Sequence, residues 1–369
     1  MKATRRYAAV TMTIAAAAAG LLAASSVLAT SANASPTTFI GSLQKTTVVA
    51  STVPANGDVN PYGVAVIPRS TGDLHQGNVL VSNFNNKANA QGTGTTIVQV
   101  SPAGKATLFA QVTDKACPGG VGLTTALVAL SSGWVVVGSL PTKNGTISGP
   151  GCLIVLDQQG QVRQTIAGHG IDGPWDMTAL NQGGTTELFV TNVLGGILGH
   201  KNANGGTVQR LSITSSPNQV PSVLASTTIG SGFSARTDPN ALVIGPTGDA
   251  LGQGGTLYVA DTLNNRIAAI PNAANRQSSD GSGSTVSKGG ALNGDLGLAV
   301  APNGDILTVN GADGNMVETT PQGTQVSVRT VDKNSGGGGN LFGLAVKPGA
   351  DAVYFVDDFG SNNNLQLLF

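Results

Sequence analysis

The stretch Gly254–Pro271, GGTLYVADTLNNRIAAIP, constrains this chain more than any other feature. Thr256–Asp261 is a β-rich run that ends in the polar turn Thr262-Leu263-Asn264-Asn265, and a second apolar run, Arg266–Ile270, follows at once. Together they read as one hairpin, and hairpins of this kind recur along the chain with a period of roughly 45–65 residues, which predicts a propeller or a solenoid. Leu296–Thr320 shows the unit most cleanly. Strand A (Leu296–Ala301) turns at Pro302-Asn303-Gly304-Asp305 into strand B (Ile306–Asn310), Gly311–Asn315 turns again into strand C (Met316–Thr320), and Pro321-Gln322-Gly323 leads to an outer strand D (Thr324–Val331).

Six such units can be laid on the chain by their strand-A openings. These are Asn60–Gly63, Gly120–Leu123, Gly173–Asp176, Asp238–Ala241, Gly294–Gly297 and Asn340–Gly343. Each is followed by an apolar B strand: Val79–Ser82, Trp134–Val137, Leu188–Thr191, Leu257–Ala260, Ile306–Val309 and Val353–Val356. The pattern carried by Leu257, Tyr258, Val259, Ala260, Asp261, Thr262, Asn264, Asn265, Arg266 and Ile267 resembles the central hairpin of an NHL-type β-propeller blade. The expected fold is therefore all-β, a six-bladed β-propeller of four-stranded antiparallel blades. Its sixth blade runs out of chain at its C strand, Asn364–Phe369, and an exposed apolar edge is an aggregation hazard. The one unassigned β-prone segment, Thr46–Val53, is expected to supply strand D there and so to close the ring. The polar, Gly-rich segments Asn275–Gly290 and Ser335–Gly339 read as surface loops.

Residues 1–34 read as a secretory signal peptide. Lys2, Arg5 and Arg6 precede an Ala-rich apolar run, and Ala32-Asn33-Ala34 offers small residues to a signal peptidase before Ser35. Residues 35–369 then form the single propeller domain of a secreted or otherwise extracytoplasmic protein, with no membrane span once the leader is removed. The Arg5-Arg6 pair leaves the export route open between the general and twin-arginine pathways. Leader removal takes three of the 19 Lys and Arg and none of the 19 Asp and Glu, so 16 basic residues remain and the net charge is about −3. That balance excludes nucleic acid as a partner. Cys117 and Cys152 are an even pair in an exported chain and predict a disulfide, which on the chain-entropy account adds roughly 3–4 kcal/mol of stability.

In NHL-type propellers strand A lines the central channel, and its start lies on the face where the D–A and B–C loops emerge. The resemblance therefore gathers Asn60, Trp175, Asp176, Asn240, Asp295 and Asn340 at the channel mouth, with His169 and His200 at its rim. A ring of such oxygens suits Ca²⁺ or another hard divalent cation, while Asn and Asp also favour tight turns with nothing bound. Propeller lactonases pair a carboxylate with Asn and Asp at comparable positions; this chain offers Asn240 and Asp295, and its two glutamates, Glu187 and Glu318, lie on strands away from the mouth. Lyases of the virginiamycin B type use histidines on the same face. No nucleophile elbow, metalloprotease helix or phosphate loop is present. Two readings stand. In one, a monomeric propeller binds a small molecule or an extracellular protein at its mouth without catalysis; in the other, it is a divalent-cation-dependent lactonase or lyase.

Overall fold

The computed structural model describes residues 38–113, 115–143, 145–194, 203–238, 241–334, 339–358 and 363–369. The expected leader, Asn240 and His200 lie outside these residues. From Thr37 to Phe369 the chain is one compact unit of six antiparallel sheets, each of at least four strands, arranged as the blades of a propeller. The inner strands are Val59–Val66, the broken strand Gly122–Leu123 and Leu127–Ala129, then Pro174–Gln182, Pro246–Leu251, Asp295–Val300 and Leu341–Val346. Each packs on the next, and the sixth packs back on the first, so the ring closes.

The B strands explain why blades stack. Val79–Asn85, Leu257–Asp261, Ile306–Asn310 and Val353–Asp357 are buried along their whole length, as strands covered on both faces must be. Leu80, Ile97, Val135 and Ile154 meet between blades 1 and 2, and Phe189, Ile229, Val259 and Ile270 between blades 3 and 4. Each such side chain, fully buried, stabilises the ring by roughly 1.5–3 kcal/mol.

Closure follows the expected route. Thr46–Ser51 pairs antiparallel with Asn364–Leu368, from Thr46 opposite Leu368 to Ser51 opposite Asn364, and completes blade 6. The short helix Phe39–Ser42 ahead of it is clasped by Glu318 of blade 5, whose carboxylate accepts the backbone N–H of Phe39 (2.6 Å) and Ile40 (2.8 Å). Phe39, Ile40 and Leu43 then fill the core between blades 5 and 6. Glu318 thus holds the N-terminal segment to the ring. Cys117 and Cys152 form the expected disulfide, with Cα atoms 5.9 Å apart, fastening the turn before blade 2 to that blade's third strand, Cys152–Leu156.

Two expectations are corrected. The inner strand of blade 4 starts at Pro246, not at Asp238: the long outer strand of blade 3, Val223–Asp238, is met by a hairpin partner, Leu242–Ile244, before the chain enters blade 4. Asn275–Gly290 is not all loop either. Ser284–Lys288 is the outer strand of blade 4, because an outermost strand needs one partner and can carry Ser, Thr and Lys toward solvent.

Candidate functional site

The inner strands share a local device. Pro61, Pro174, Pro246, Asp295 and Leu341 lie opposite Asn83, Asn192, Asp261, Asn310 and Asp357 at the ends of the B strands, and a bulge follows each. A bulge bends the strand and re-aims the side chains beyond it. The residue after the opening is Tyr62, Trp175, Leu296 or Phe342 in four blades, and these four line the floor of a mouth cavity of about 530 Å³. Phe84, Ala241, Ile244 and Ala312 continue its apolar wall, and Asn60, Gln91, Asp238 and Thr262 supply polar groups.

The floor is an aromatic cluster. Tyr62 lies 5.2 Å from Phe342 in a tilted contact and meets Trp175 and Phe84 edge-on at 5.8 and 6.2 Å between centroids. Edge-to-face packing of this kind adds roughly 0.5–1.5 kcal/mol per pair beyond area burial. The Trp175 indole N–H donates to the Tyr62 hydroxyl at 2.6 Å, which fixes both rings. Burial, with the Asp176 charge adding to it, pushes the Tyr62 hydroxyl well above its ordinary pKa, so the phenol stays neutral.

Only some of the expected residues reach the mouth. Asn60 and Trp175 line it. Asn60 adopts a left-handed φ of 62° and donates its N–H to Asn363 Oδ1 at 2.6 Å, while its own buried side-chain oxygen has no hydrogen-bond partner. Asp295 lies beneath the mouth lining. It is 0% exposed, both carboxylate oxygens lack a hydrogen-bond partner, and burial, reinforced by the Asp261 charge, raises its pKa to about 7 against the pull of Arg266. The bulge turns Asp176 away from the mouth, into the channel on the far side of the aromatic floor. Asn340 is half-buried and donates to Asp332 at 3.0 Å, leaving its neighbour Gly339 to line the cavity. His169 is exposed on a turn, its carbonyl accepting from Ser226 Oγ at 2.7 Å, and lines neither cavity.

The turn residues of the repeat serve the scaffold. Asp261 accepts Arg266 Nε at 2.8 Å and Asn264 Nδ2 at 3.0 Å, and Asn265, at a left-handed φ of 46°, accepts the N–H of Gly294 at 2.7 Å across the blade junction. Asn192 likewise accepts the N–H groups of Asp172 and Gly173 ahead of its inner strand.

The sequence reading missed the aromatic floor and Asp249. Tyr62 and Phe342 each follow the opening residue of their strand, a periodic bulky position that could have been found by reading that column instead of the polar one. Asp249 was hidden because the inner strand of blade 4 was placed eight residues early.

Among the described residues no group of three or more His, Cys, Asp or Glu side chains stands together to hold a metal ion. Ca²⁺ takes six to eight oxygens, and among the described residues the mouth cavity is lined by one carboxylate, Asp238, with Asn60, Gln91 and Thr262.

No family model matches the chain, and no curated protein matches it. The fold itself is widely shared, with 469 solved chains similar to it. A gluconolactonase from Xanthomonas campestris is 12% identical, with 88% of each chain covered and a TM-score of 0.53. A calcium-binding regucalcin from Agrobacterium tumefaciens is 13% identical over 86% of this chain and 92% of its own, at 0.51. A catalytically inactive virginiamycin B lyase from Staphylococcus aureus, solved with quinupristin, is 14% identical over 88% of each chain, at 0.50. At these identities the likeness establishes the propeller architecture, and three neighbours with three different descriptions show that architecture leaves function open.

Proposed function

From that shared architecture, which carries different activities, we propose that this propeller binds a ring-bearing, largely apolar small molecule at its mouth, without catalysis. The observation that supports this reading is the aromatic floor: four of the inner strands place Tyr62, Trp175, Leu296 and Phe342 under a cavity whose volume suits a small ligand. The unpartnered Asn60 oxygen gives a ligand donor one buried acceptor to find. We also propose that residues 1–34 are removed on export and that the mature monomer works outside the cytoplasm. The disulfide supports that compartment, and among the described residues no helix is long and apolar enough to cross a membrane.

The reading is tested by titrating the protein with 1-anilinonaphthalene-8-sulfonate and following Trp fluorescence. Saturable one-to-one binding that is lost when Ala312→Trp fills the mouth, and kept when Asp249→Asn alters the far channel, is the expected result. Binding that ignores Ala312→Trp overturns it.

A second reading, a lactonase or lyase dependent on a divalent cation, draws on the gluconolactonase and lyase neighbours and on the buried, unpartnered Asp295 close under the mouth. It requires a stoichiometric cation in purified protein and a melting curve lowered by chelator. A metal-free protein with an unmoved melting curve rules it out.

A further inference from the structure

Below the aromatic floor the channel reopens as a second cavity of about 310 Å³, lined by the later halves of all the inner strands. Its lining combines aliphatic side chains, Ala65, Ala250, Ala299 and Ala345 among them, with a larger share of polar surface, and it reaches solvent past the exposed Pro68 and Asn181. Two carboxylates interrupt this wall on neighbouring strands, Asp176 of blade 3 and Asp249 of blade 4.

Strand register shows how far both depart from the repeat. The position of Asp176 is glycine in four other blades, Gly63, Gly248, Gly297 and Gly343, where an added Cβ would stand between 2.1 and 2.5 Å from a carbonyl oxygen of the adjoining inner strand. Packing at that level calls for backbone against backbone. Blade 3 instead carries a side chain there, and its carboxylate accepts the N–H of Met177 at 2.8 Å. The position of Asp249 is Val64, Leu298 and Leu344 elsewhere. Asp249 is 4% exposed, it faces the cavity, and neither of its oxygens has a hydrogen-bond partner.

Neither acid takes part in any of the ion pairs among the described residues. Asp249 is a buried carboxylate without a partner, which costs several kcal/mol, and half-buried Asp176 adds a second carboxylate on the neighbouring strand, so a pair that packing would replace with glycine and valine or leucine calls for a positive ligand or a held proton. Burial raises both acids above the usual carboxylate range, Asp176 to about 7 and Asp249 well above its ordinary value, the Asp176 charge adding to the latter. The number of carboxylates decides which cation fits. A hard metal ion wants six to eight oxygens, whereas an ammonium group brings N–H donors for two carboxylates and its hydrocarbon stem matches alanine and valine walls.

We propose that the far half of the channel is a binding site for a small alkylammonium ion, its head held between Asp176 and Asp249 and its tail lying along the aliphatic wall toward the face opposite the mouth. This site has a lining separate from that of the mouth cavity.

Calorimetric titration of the full chain with n-butylammonium chloride, at about pH 8 where both carboxyls are the more ionised, tests the proposal. The expected result is saturable one-to-one binding, weakened at least about tenfold in Asp176→Asn and in Asp249→Asn, and absent for n-butanol, which keeps the tail and removes the charge. Ala345→Leu narrows the tube without touching either carboxylate and should weaken binding similarly. Absence of butylammonium binding to the parent protein means that the pair only shares a proton, and overturns the proposal. Ca²⁺ binding that is lost in the two Asn variants while butylammonium is ignored overturns it in favour of a metal site.

Discussion

The two halves of the channel are built from the same six inner strands yet have opposite characters. At the mouth the strands present Tyr62, Trp175, Leu296 and Phe342, and Tyr62 packs on both Trp175 and Phe342 in the floor. Beyond the bulge they line an open tube of about 310 Å³ with alanines, valines, Leu127, Leu298 and Leu344 beside two carboxylates. Polar groups differ in the same sense. The Trp175 indole and Tyr62 hydroxyl satisfy each other, whereas Asp249 has no partner. A repeat therefore specifies the ring, and the choice of side chain on either side of each bulge specifies what the ring encloses.

The largest effect expected is on closure, on which both halves depend. Removing the edge strand Thr46–Ser51, or ending the chain before Asn364, leaves blade 6 unpaired and should abolish the cooperative thermal transition seen by near-ultraviolet circular dichroism. A melting curve equal to the parent's would show that the ring holds without its clasp, and would place the Glu318 contact to Phe39 and Ile40 among dispensable features.

Next comes a direct contrast of floor and wall. Trp175 is 4% exposed, packed on Tyr62 and bonded to it, so Trp175→Ala should cost about 3–5 kcal/mol in urea unfolding. Val300 on the tube wall is only half-buried, resting on the edge of the core between blades 4 and 5, and Val300→Ala should cost only about 1 kcal/mol. Equal costs would mean that the tube is as tightly filled as the floor, which would remove the distinction between them.

The repeat, the blade count and the closing strand were legible because they rest on apolar periodicity and turn chemistry, both local properties of the chain. Leu257–Asp261 and Ile306–Asn310 show this directly, each bounded where its pattern breaks. The site was legible only in part. Asp176 sits one residue from Trp175, yet the two line different cavities: the pleat points successive side chains to opposite faces, and the bulge between Pro174 and Asp176 sets which residue points where. Bulges depend on pairing with the B strand and leave little trace in a single sequence. The inner strand of blade 4 was misplaced for a related reason: the hairpin Val223–Ile244 inserts a strand that belongs to no repeat.

A smaller effect concerns Asp295, buried between the two halves. Its carboxyl holds its proton to about pH 7 in the folded ring and releases it near pH 4 when unfolded, so the folded state binds the extra proton between those values. Its contribution to stability is therefore complete in acid, falls as pH rises from about 4 through 7, and stays low above. Asp176 and Asp249, with pKa values raised in the same direction, steepen the same fall. Asp295→Asn should raise stability at about pH 8 by roughly 2 kcal/mol and flatten the decline between pH 5 and 8. A variant that melts lower than the parent at pH 8 would indicate that the ionised carboxylate holds a cation in the native protein, and would move the second functional reading ahead of the first.

The smallest effect expected is at His169, and it separates binding from acid–base chemistry at the mouth. The side chain is exposed, no described cavity includes it, and its fixed contact is through the backbone, to Ser226 Oγ. Its φ of 54° is a left-handed value that asparagine also tolerates, so His169→Asn removes the imidazole without straining the turn. Stability should change by less than about 0.5 kcal/mol, as for other surface positions without a special role. The titrations of the mouth with anilinonaphthalene sulfonate and of the far channel with butylammonium should both be unchanged. A general base must come within hydrogen-bond reach of the proton it takes, and an imidazole outside the cavity cannot do so while the rim keeps this shape. If His169→Asn abolishes turnover of a lactone or of a cyclic depsipeptide by the parent protein, the rim closes over its ligand, and the mouth has to be read as an active site whose floor merely positions the ring.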